Sequence, residues 1–244
     1  MQSDLPKVLH HVAGAPLLVH AMKSGAALDP EKTVIVAGHG ADAVSAAARD
    51  FSDDVEIVLQ AELLGTGHAV MQARAALADF DGDAIVLYGD TPFIAPETLE
   101  AMLAARATHD VVVLGFEAAD AGRYGRLVMQ GDALERIVEF KDASDEERNI
   151  TLCNSGVIAA KSSTLFDLLN DVNDDNAGGE YYLTDIIGIA RMKGMSAGVV
   201  RCPEAETMGI NSKAELALAE GEFQTRARRE AMENGVTLRA PDTV

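Results

Sequence analysis

The chain has 244 residues, 48% hydrophobic and 24% charged, enough to bury a sizeable core in one folded domain. Its formal net charge of −19 excludes wide contact with nucleic acid or an anionic membrane, because either needs a basic face. No apolar run is long enough to cross a bilayer and the start MQSDLPK lacks the apolar core of a secretory signal, so a soluble, cytoplasmic protein is expected.

The segment SDLPKVLHHVAGAP comes first. Pro6 disfavours helix at Leu5, so Lys7 is expected on an extended loop, either as a surface charge or as an ammonium aimed into a crevice. Helices are predicted at Leu17 to Ala27, Ala41 to Ala48, His68 to Ala78 and Pro96 to Arg106, where Pro96 suits a first turn. Between them, Val34 to Ala37, Val55 to Leu59, Ile85 to Tyr88 and Val111 to Phe116 read as short buried strands. This βαβα order predicts an α/β fold, a doubly wound, Rossmann-like and mostly parallel sheet whose ligand crevice lies at the carboxyl ends of the strands.

Two features fall at such ends. In QAELLGTGHAV the turn Gly65-Thr66-Gly67 precedes a helix, where a backbone without side chains and free N–H groups suit a close-lying anion or carbonyl. Such turns also serve as plain connectors. Asp90, closing LYGDTPFI, is either a turn residue or a carboxylate presented to the crevice. A phosphate ligand on so acidic a chain would need local neutralisation, and a divalent cation is therefore implied.

The second half changes character. Strands at Arg126 to Met129, Arg136 to Phe140 and Cys153 to Ala160 lack helices between them and predict a smaller mixed β layer over the crevice. Helices return at Ser163 to Asn170, Thr184 to Met192 and Lys213 to Met232, with a strand at Ala197 to Val200. Asn211 can cap the last helix or offer a neutral oxygen to Mg²⁺. Asp142 to Glu147 and Asp171 to Asp175 read as solvated loops, Cys153 and Cys202 as reduced thiols, and Met102, Met192 and Met232 as helix-packing residues. His10, His11, His39 and His68 show no partner pattern.

SDLPKVLHHVAGAPLLVHA, QAELLGTGHAV, LYGDTPFI, YGRLVMQGDALERIVEFKDASDEER, NSGV, GGEYYLTDII and GINSKAELA stand in one order along the chain. In that order they resemble bacterial UDP-N-acetylglucosamine pyrophosphorylases. More narrowly, the chain is similar to the N-terminal uridylyltransferase domain of the bifunctional N-acetylglucosamine-1-phosphate uridyltransferase/glucosamine-1-phosphate acetyltransferase.

The resemblance implies transfer of UMP from UTP to N-acetylglucosamine 1-phosphate with Mg²⁺, for peptidoglycan and lipopolysaccharide precursors. Gln60, Gly65 and Thr66 match uracil-recognising positions, and Lys7 the phosphate-binding lysine. Tyr88, Gly89 and Asp90 match the segment lining the nucleotide and sugar site. Gly125, Glu139 and Asn154 match residues holding the N-acetylglucosamine group, and Thr184 a nearby position. Asp90 and Asn211 match the metal ligands.

Three departures shape the expectations. The family places a central strand and a glycine-rich phosphate loop just ahead of Met1. Residues 1–234 are therefore read as an N-terminally truncated nucleotidyltransferase domain, with two strands left unpaired around a gap. Residues 235–244 resemble the start of a connection to a C-terminal left-handed β-helix, which carries acetyl transfer and homotrimer contacts in the family; acetyl transfer is not expected here, and the homotrimer is left open. Leu63 replaces a glutamine that many members place beside the uracil. The alternatives are a catalytically silent nucleotide-sugar-binding domain and a thymidylyl- or guanylyltransferase.

Overall fold

Short hydrophobic runs form strands and the apolar-periodic stretches between them form helices, in strict alternation through the first half of the chain. The computed structural model describes residue 1 and residues 3–244. A hairpin, β1 (His11–Val12) and β2 (Ala15–Pro16), leads into α1 (Leu17–Ala26), β3 (Thr33–Ala37), α2 (Ala41–Phe51), β4 (Val55–Leu59), α3 (Thr66–Gln72), β5 (Asp83–Val86), α4 (Pro96–Arg106) and β6 (Val111–Glu117). Then follow β7 (Arg126–Gln130), β8 (Ala133–Val138), α5 (Asp145–Arg148), β9 (Leu152–Lys161), α6 (Ser162–Leu169), α7 (Asp185–Met192), β10 (Ala197–Arg201) and α8 (Lys213–Glu233).

The central sheet runs β10-β6-β9-β7-β8, with β5 also bonded to β9. The ten-residue β9 is its pivot. One edge pairs with β6, while the other pairs with β5 at Ile158 to Lys161 and meets β7 at Cys153. The pairings run β5, β6, β7 and β10 one way and β8 and β9 the other. The smaller β region is thus continuous with the main sheet, reached through β9.

Strand β6 is apolar on both faces, as the run VVVLGF requires. Val111 and Val113 pack towards Leu165, Ile186 and Ile187, while Val112 and Leu114 pack towards Leu99 and Met102 on the opposite side. Two helical layers therefore share one sheet, the doubly wound arrangement that the alternation predicts.

β3 and β4 form a separate parallel pair. Among the described residues the other edge of β3, and the edge of β5 away from β9, have no strand partner. Between them lies a cavity of about 640 Å³ lined by Val34, Ile35 and Val36 of β3 and Ile85 and Val86 of β5, with Leu18, Val70 and Leu99 from the flanking helices.

Several local expectations need correcting. Lys7 lies not on an extended loop but at the head of one 3₁₀ turn, Lys7–Leu9, entered from Pro6. Helix α3 ends at Gln72, before the predicted Ala78, and β5 ends at Val86 because Leu87 to Asp90 leave the sheet. Within the acidic run at 142–147, Asp145 to Glu147 belong to α5, held by a capping box between Ser144 and Glu147. Met102 is fully buried, but Met192 and Met232 are exposed at 82% and 39% and do not pack. His68 bonds Gln60 and Gln72, and His10 bonds Lys213, so both have partners that their sequence context did not show. No helix among the described residues is long and apolar enough to cross a membrane.

Candidate functional site

The loop after β4 is stitched to residues 181–183 by two backbone bonds and one to a side chain. Gly67 N–H donates to the Tyr181 carbonyl at 2.8 Å, Tyr181 N–H to the Leu64 carbonyl at 2.8 Å, and Leu183 N–H to the Thr66 hydroxyl at 3.0 Å. Gly65 makes this approach possible: its φ is +108°, and a Cβ there would lie 2.7 Å from the Tyr181 carbonyl oxygen. The Gln60 amide donates to the Gly65 carbonyl at 3.1 Å, holding its head against the turn. Gln60, Gly65 and Thr66 are thus one unit, with the exposed Leu63 at its rim.

Tyr88 shares with Thr66 the lining of the cavity between β3 and β5, and burial pushes its hydroxyl up to about 12, so it stays protonated at physiological pH. The ring packs on Gly156, whose φ of +93° and lack of a side chain are both required, since a Cβ would meet the ring at 2.8 Å.

Beyond Tyr88 lies a second unit. Asn154 N–H donates to the Gly125 carbonyl at 2.8 Å, Gly125 lies against the Glu139 carboxylate, and the buried Thr184 hydroxyl donates to Glu139 at 3.1 Å. Burial raises Glu139 above the usual carboxylate range, partly offset by the Thr184 hydrogen bond. Because Thr184 follows Leu183, the contacts run on from the first unit through Thr66, Leu183, Thr184, Glu139, Gly125, Asn154 and Gly156 to the Tyr88 ring.

The third unit lies at the end of the Tyr88-Gly89-Asp90 segment. Lys7 Nζ sits 2.5 Å from Asp90 Oδ2 and 2.7 Å from Asn211 Oδ1. Asn211 is free to do so because Ser212, not Asn211, caps α8, in a box with Glu215. The Ile210 N–H donates to the Asp90 carbonyl at 3.0 Å and ties the two loops together. One carboxylate and one amide oxygen are the hard donors that Mg²⁺ takes, and the Lys7 ammonium between them is a stand-in cation, so these residues fit a divalent metal. Among the described residues no cluster of three or more His, Cys, Asp and Glu exists, so waters and substrate oxygens would complete the shell.

The sequence-predicted residues thus converge in three groups: Gln60 with Gly65 and Thr66, Gly125 with Glu139, Asn154 and Thr184, and Lys7 with Asp90 and Asn211. Leu183 and Thr184 join the first two, and Tyr88, packed on Gly156, leads through Gly89 to the third.

Other contributors escaped sequence reasoning. Asp185, at the start of α7, is pushed up to about 6 by burial and by the charges of Glu139 and Asp142. Arg126 is buried without a carboxylate; its guanidinium donates to the carbonyls of Ala121, Gly122, Tyr124 and Arg148, fixing the loop that delivers Gly125. The GR pair in YGRLV was the available signal, a charged residue opening an otherwise apolar strand. Cys153 and Cys202 are free, and burial raises both thiols, Cys202 to about 12, which keeps them protonated and unreactive.

Comparison with known proteins agrees with this architecture. The chain is 64% identical to the bifunctional protein GlmU of Cereibacter sphaeroides (strain ATCC 17025 / ATH 2.4.3) and 64% identical to that of Ruegeria pomeroyi. Each match covers all of this chain and 54% of the relative, so the chain spans about half the length of these curated proteins. UDP-glucose pyrophosphorylase complexed with UDP-glucose superposes with a TM-score of 0.71 at 17% identity, over 91% of each chain. A nucleoside-diphosphate-sugar pyrophosphorylase from Vibrio cholerae RC9 gives 0.69 at 14% identity, over 90% of this chain and 93% of that one. At these identities the shared property is the fold. The MobA-like NTP transferase domain matches residues 1–157, which hold the Gln60 to Thr66 turn, Tyr88, Asp90 and the Gly125–Asn154 pair, and the chain belongs to that family.

Proposed function

We propose that this chain is a cytoplasmic UDP-N-acetylglucosamine pyrophosphorylase, transferring UMP from UTP to N-acetylglucosamine 1-phosphate with release of pyrophosphate and serving cell-envelope precursor synthesis. The observation that carries the reading is the run of contacts that joins the Gln60 to Thr66 turn to the Gly125, Glu139, Asn154 and Thr184 group through Leu183. The identity to GlmU along the whole chain, and a fold neighbour complexed with UDP-glucose, support a uridine diphosphate sugar as product.

In this reading the sugar phosphate oxygen attacks the α-phosphorus of UTP in line and pyrophosphate leaves. The nucleophile is already ionised at neutral pH, so no general base is needed and catalysis rests on positioning and charge neutralisation. Gln60 and the turn orient the uracil, with Leu63 adding only apolar contact. Glu139, oriented by the Thr184 hydroxyl, and Asn154 hold the acetylated sugar, and Lys7 places its positive charge on the phosphates. Mg²⁺ held by Asp90 and Asn211 would supply further neutralisation of the developing charge.

A second reading, a nucleotide-sugar-binding domain that does not turn over, is favoured by the unpaired slot between β3 and β5, whose lining includes Gly89. Pyrophosphate release with Mg²⁺ and N-acetylglucosamine 1-phosphate separates the two. It is to be measured with UTP, dTTP and GTP, for this chain and for a version extended upstream by an apolar strand and a glycine-rich loop. Turnover fastest with UTP in either protein supports the first reading. A melting-temperature rise with UDP-N-acetylglucosamine and no pyrophosphate from either supports the second. Faster turnover with dTTP or GTP overturns the assignment to uridine, and neither turnover nor a melting shift overturns both readings.

A further inference from the structure

The Lys7, Asp90 and Asn211 cluster holds one ammonium between the two oxygens that fit a metal. The backbone that presents those side chains is held without the lysine: the Ile210 N–H bond to the Asp90 carbonyl, the Ser212–Glu215 capping box and the Asn211 N–H bond to Glu215 all act through main-chain atoms of residues 90 and 211 or through their neighbours. The Lys7 ammonium, by contrast, arrives on a flexible four-carbon stem that is 38% exposed, whereas Asp90 is only 19% exposed. The loops that carry the acceptor pair are tied together, and the cation on its long stem is the more movable part.

A Mg²⁺–oxygen bond is about 2.0–2.1 Å long. A dication at that distance from both oxygens cannot coexist with Nζ lying 2.5 and 2.7 Å from the same atoms, on steric and on charge grounds. We propose that Lys7 is a tethered placeholder for the divalent cation, pairing Asp90 and Asn211 until metal and nucleotide arrive and then leaving for the phosphates. The inference rests on the metal-dependent transfer proposed above.

The exchange has a charge logic. Before substrate arrives, Asp90 stays paired in a strongly acidic chain instead of facing solvent alone. When the metal takes the two oxygens, the freed ammonium adds a second positive group at the moment the triphosphate brings its negative charge. Metal and lysine then act in sequence on one pair of oxygens, and metal alone must pay for displacing the ammonium.

Titration of Mn²⁺ alone, followed by loss of the free-ion electron paramagnetic resonance signal, tests this without any turnover. Four proteins are compared: the parent, Lys7→Met, Asp90→Asn and the double variant, with Lys7→Gln replacing Lys7→Met if melting shows that the latter is unfolded. The expected result is Mn²⁺ binding about tenfold tighter in Lys7→Met than in the parent, the gain disappearing when Asp90→Asn is added. Asp90-dependent binding that is equal or weaker in Lys7→Met overturns the placeholder role and leaves the metal site standing. If no protein shows Asp90-dependent binding, the metal role of Asp90 and Asn211 in the proposed function fails, and the placeholder fails with it.

Discussion

Asp185 begins α7 within the field of Glu139 and Asp142, and burial with those two charges lifts its carboxyl from 3.8 to about 6. A folded-state value above the unfolded one means that the native state holds the proton more tightly. Stability is therefore lost as pH rises through the interval from 3.8 to about 6, and the penalty is complete above it. Asp185→Asn removes the charge, so the variant is expected to be more stable than the parent at pH 8, by on the order of 1 kcal/mol after solvent screening. The gain should shrink towards zero near pH 4, as read by paired thermal melts. An equal gain at both pH values would assign the effect to packing instead. Nothing in GEYYLTDII marks this aspartate, because its neighbours in charge come from the β8–α5 connection and not from its own segment. As isolated residues Lys7, Asp90 and Asn211 each had a plain surface, turn or capping role beside a functional one, and only motif order chose between the two.

Helix α8 shows how an element determines what one of its flanking residues can do. Asn before an apolar-periodic run is a good capping signal, but Ser212 takes the cap and Glu215 closes the box, which turns Asn211 over to the Lys7 cluster. Ser212→Ala should cost about 1 kcal/mol in urea denaturation, the usual loss of a serine cap. It should also weaken Mn²⁺ binding, because the segment presenting Asn211 loosens. An unchanged metal affinity alongside the stability loss would show that the Ile210 tie to Asp90 is sufficient by itself. Helix α3 makes the converse point. Its apolar spacing reads on to Ala78, yet the regular helix stops at Gln72, and Arg74 reaches instead to the Phe166 carbonyl and to Asn170 at 2.8 and 2.7 Å. Propensity and spacing are weak guides to where a helix ends.

Across the whole molecule, the weak point is the slot between β3 and β5. Two strand edges with unpaired N–H and C=O groups face an apolar cavity of about 640 Å³, and each unpaired backbone group left from water is costly. An extended apolar segment would satisfy both edges and fill the volume, as in recognition by strand addition. Extending the chain upstream by such a strand is expected to raise the melting temperature by about 5–10 °C, from several kcal/mol of new hydrogen bonds and burial in a domain of this size. An unchanged melting temperature would show that the slot closes by other means.

The sequence by itself determined the alternation of strands and helices, the two-faced burial of β6, the glycine turn and the family, because periodicity, turn chemistry and motif order are written among neighbours along the chain. Tertiary structure alone decided that β9 bonds both β5 and β7 along one edge and that Lys7 lies between Asp90 and Asn211. Those partners stand 83 and 204 positions from the lysine, and only the packing of the intervening elements brings such atoms within hydrogen-bond distance.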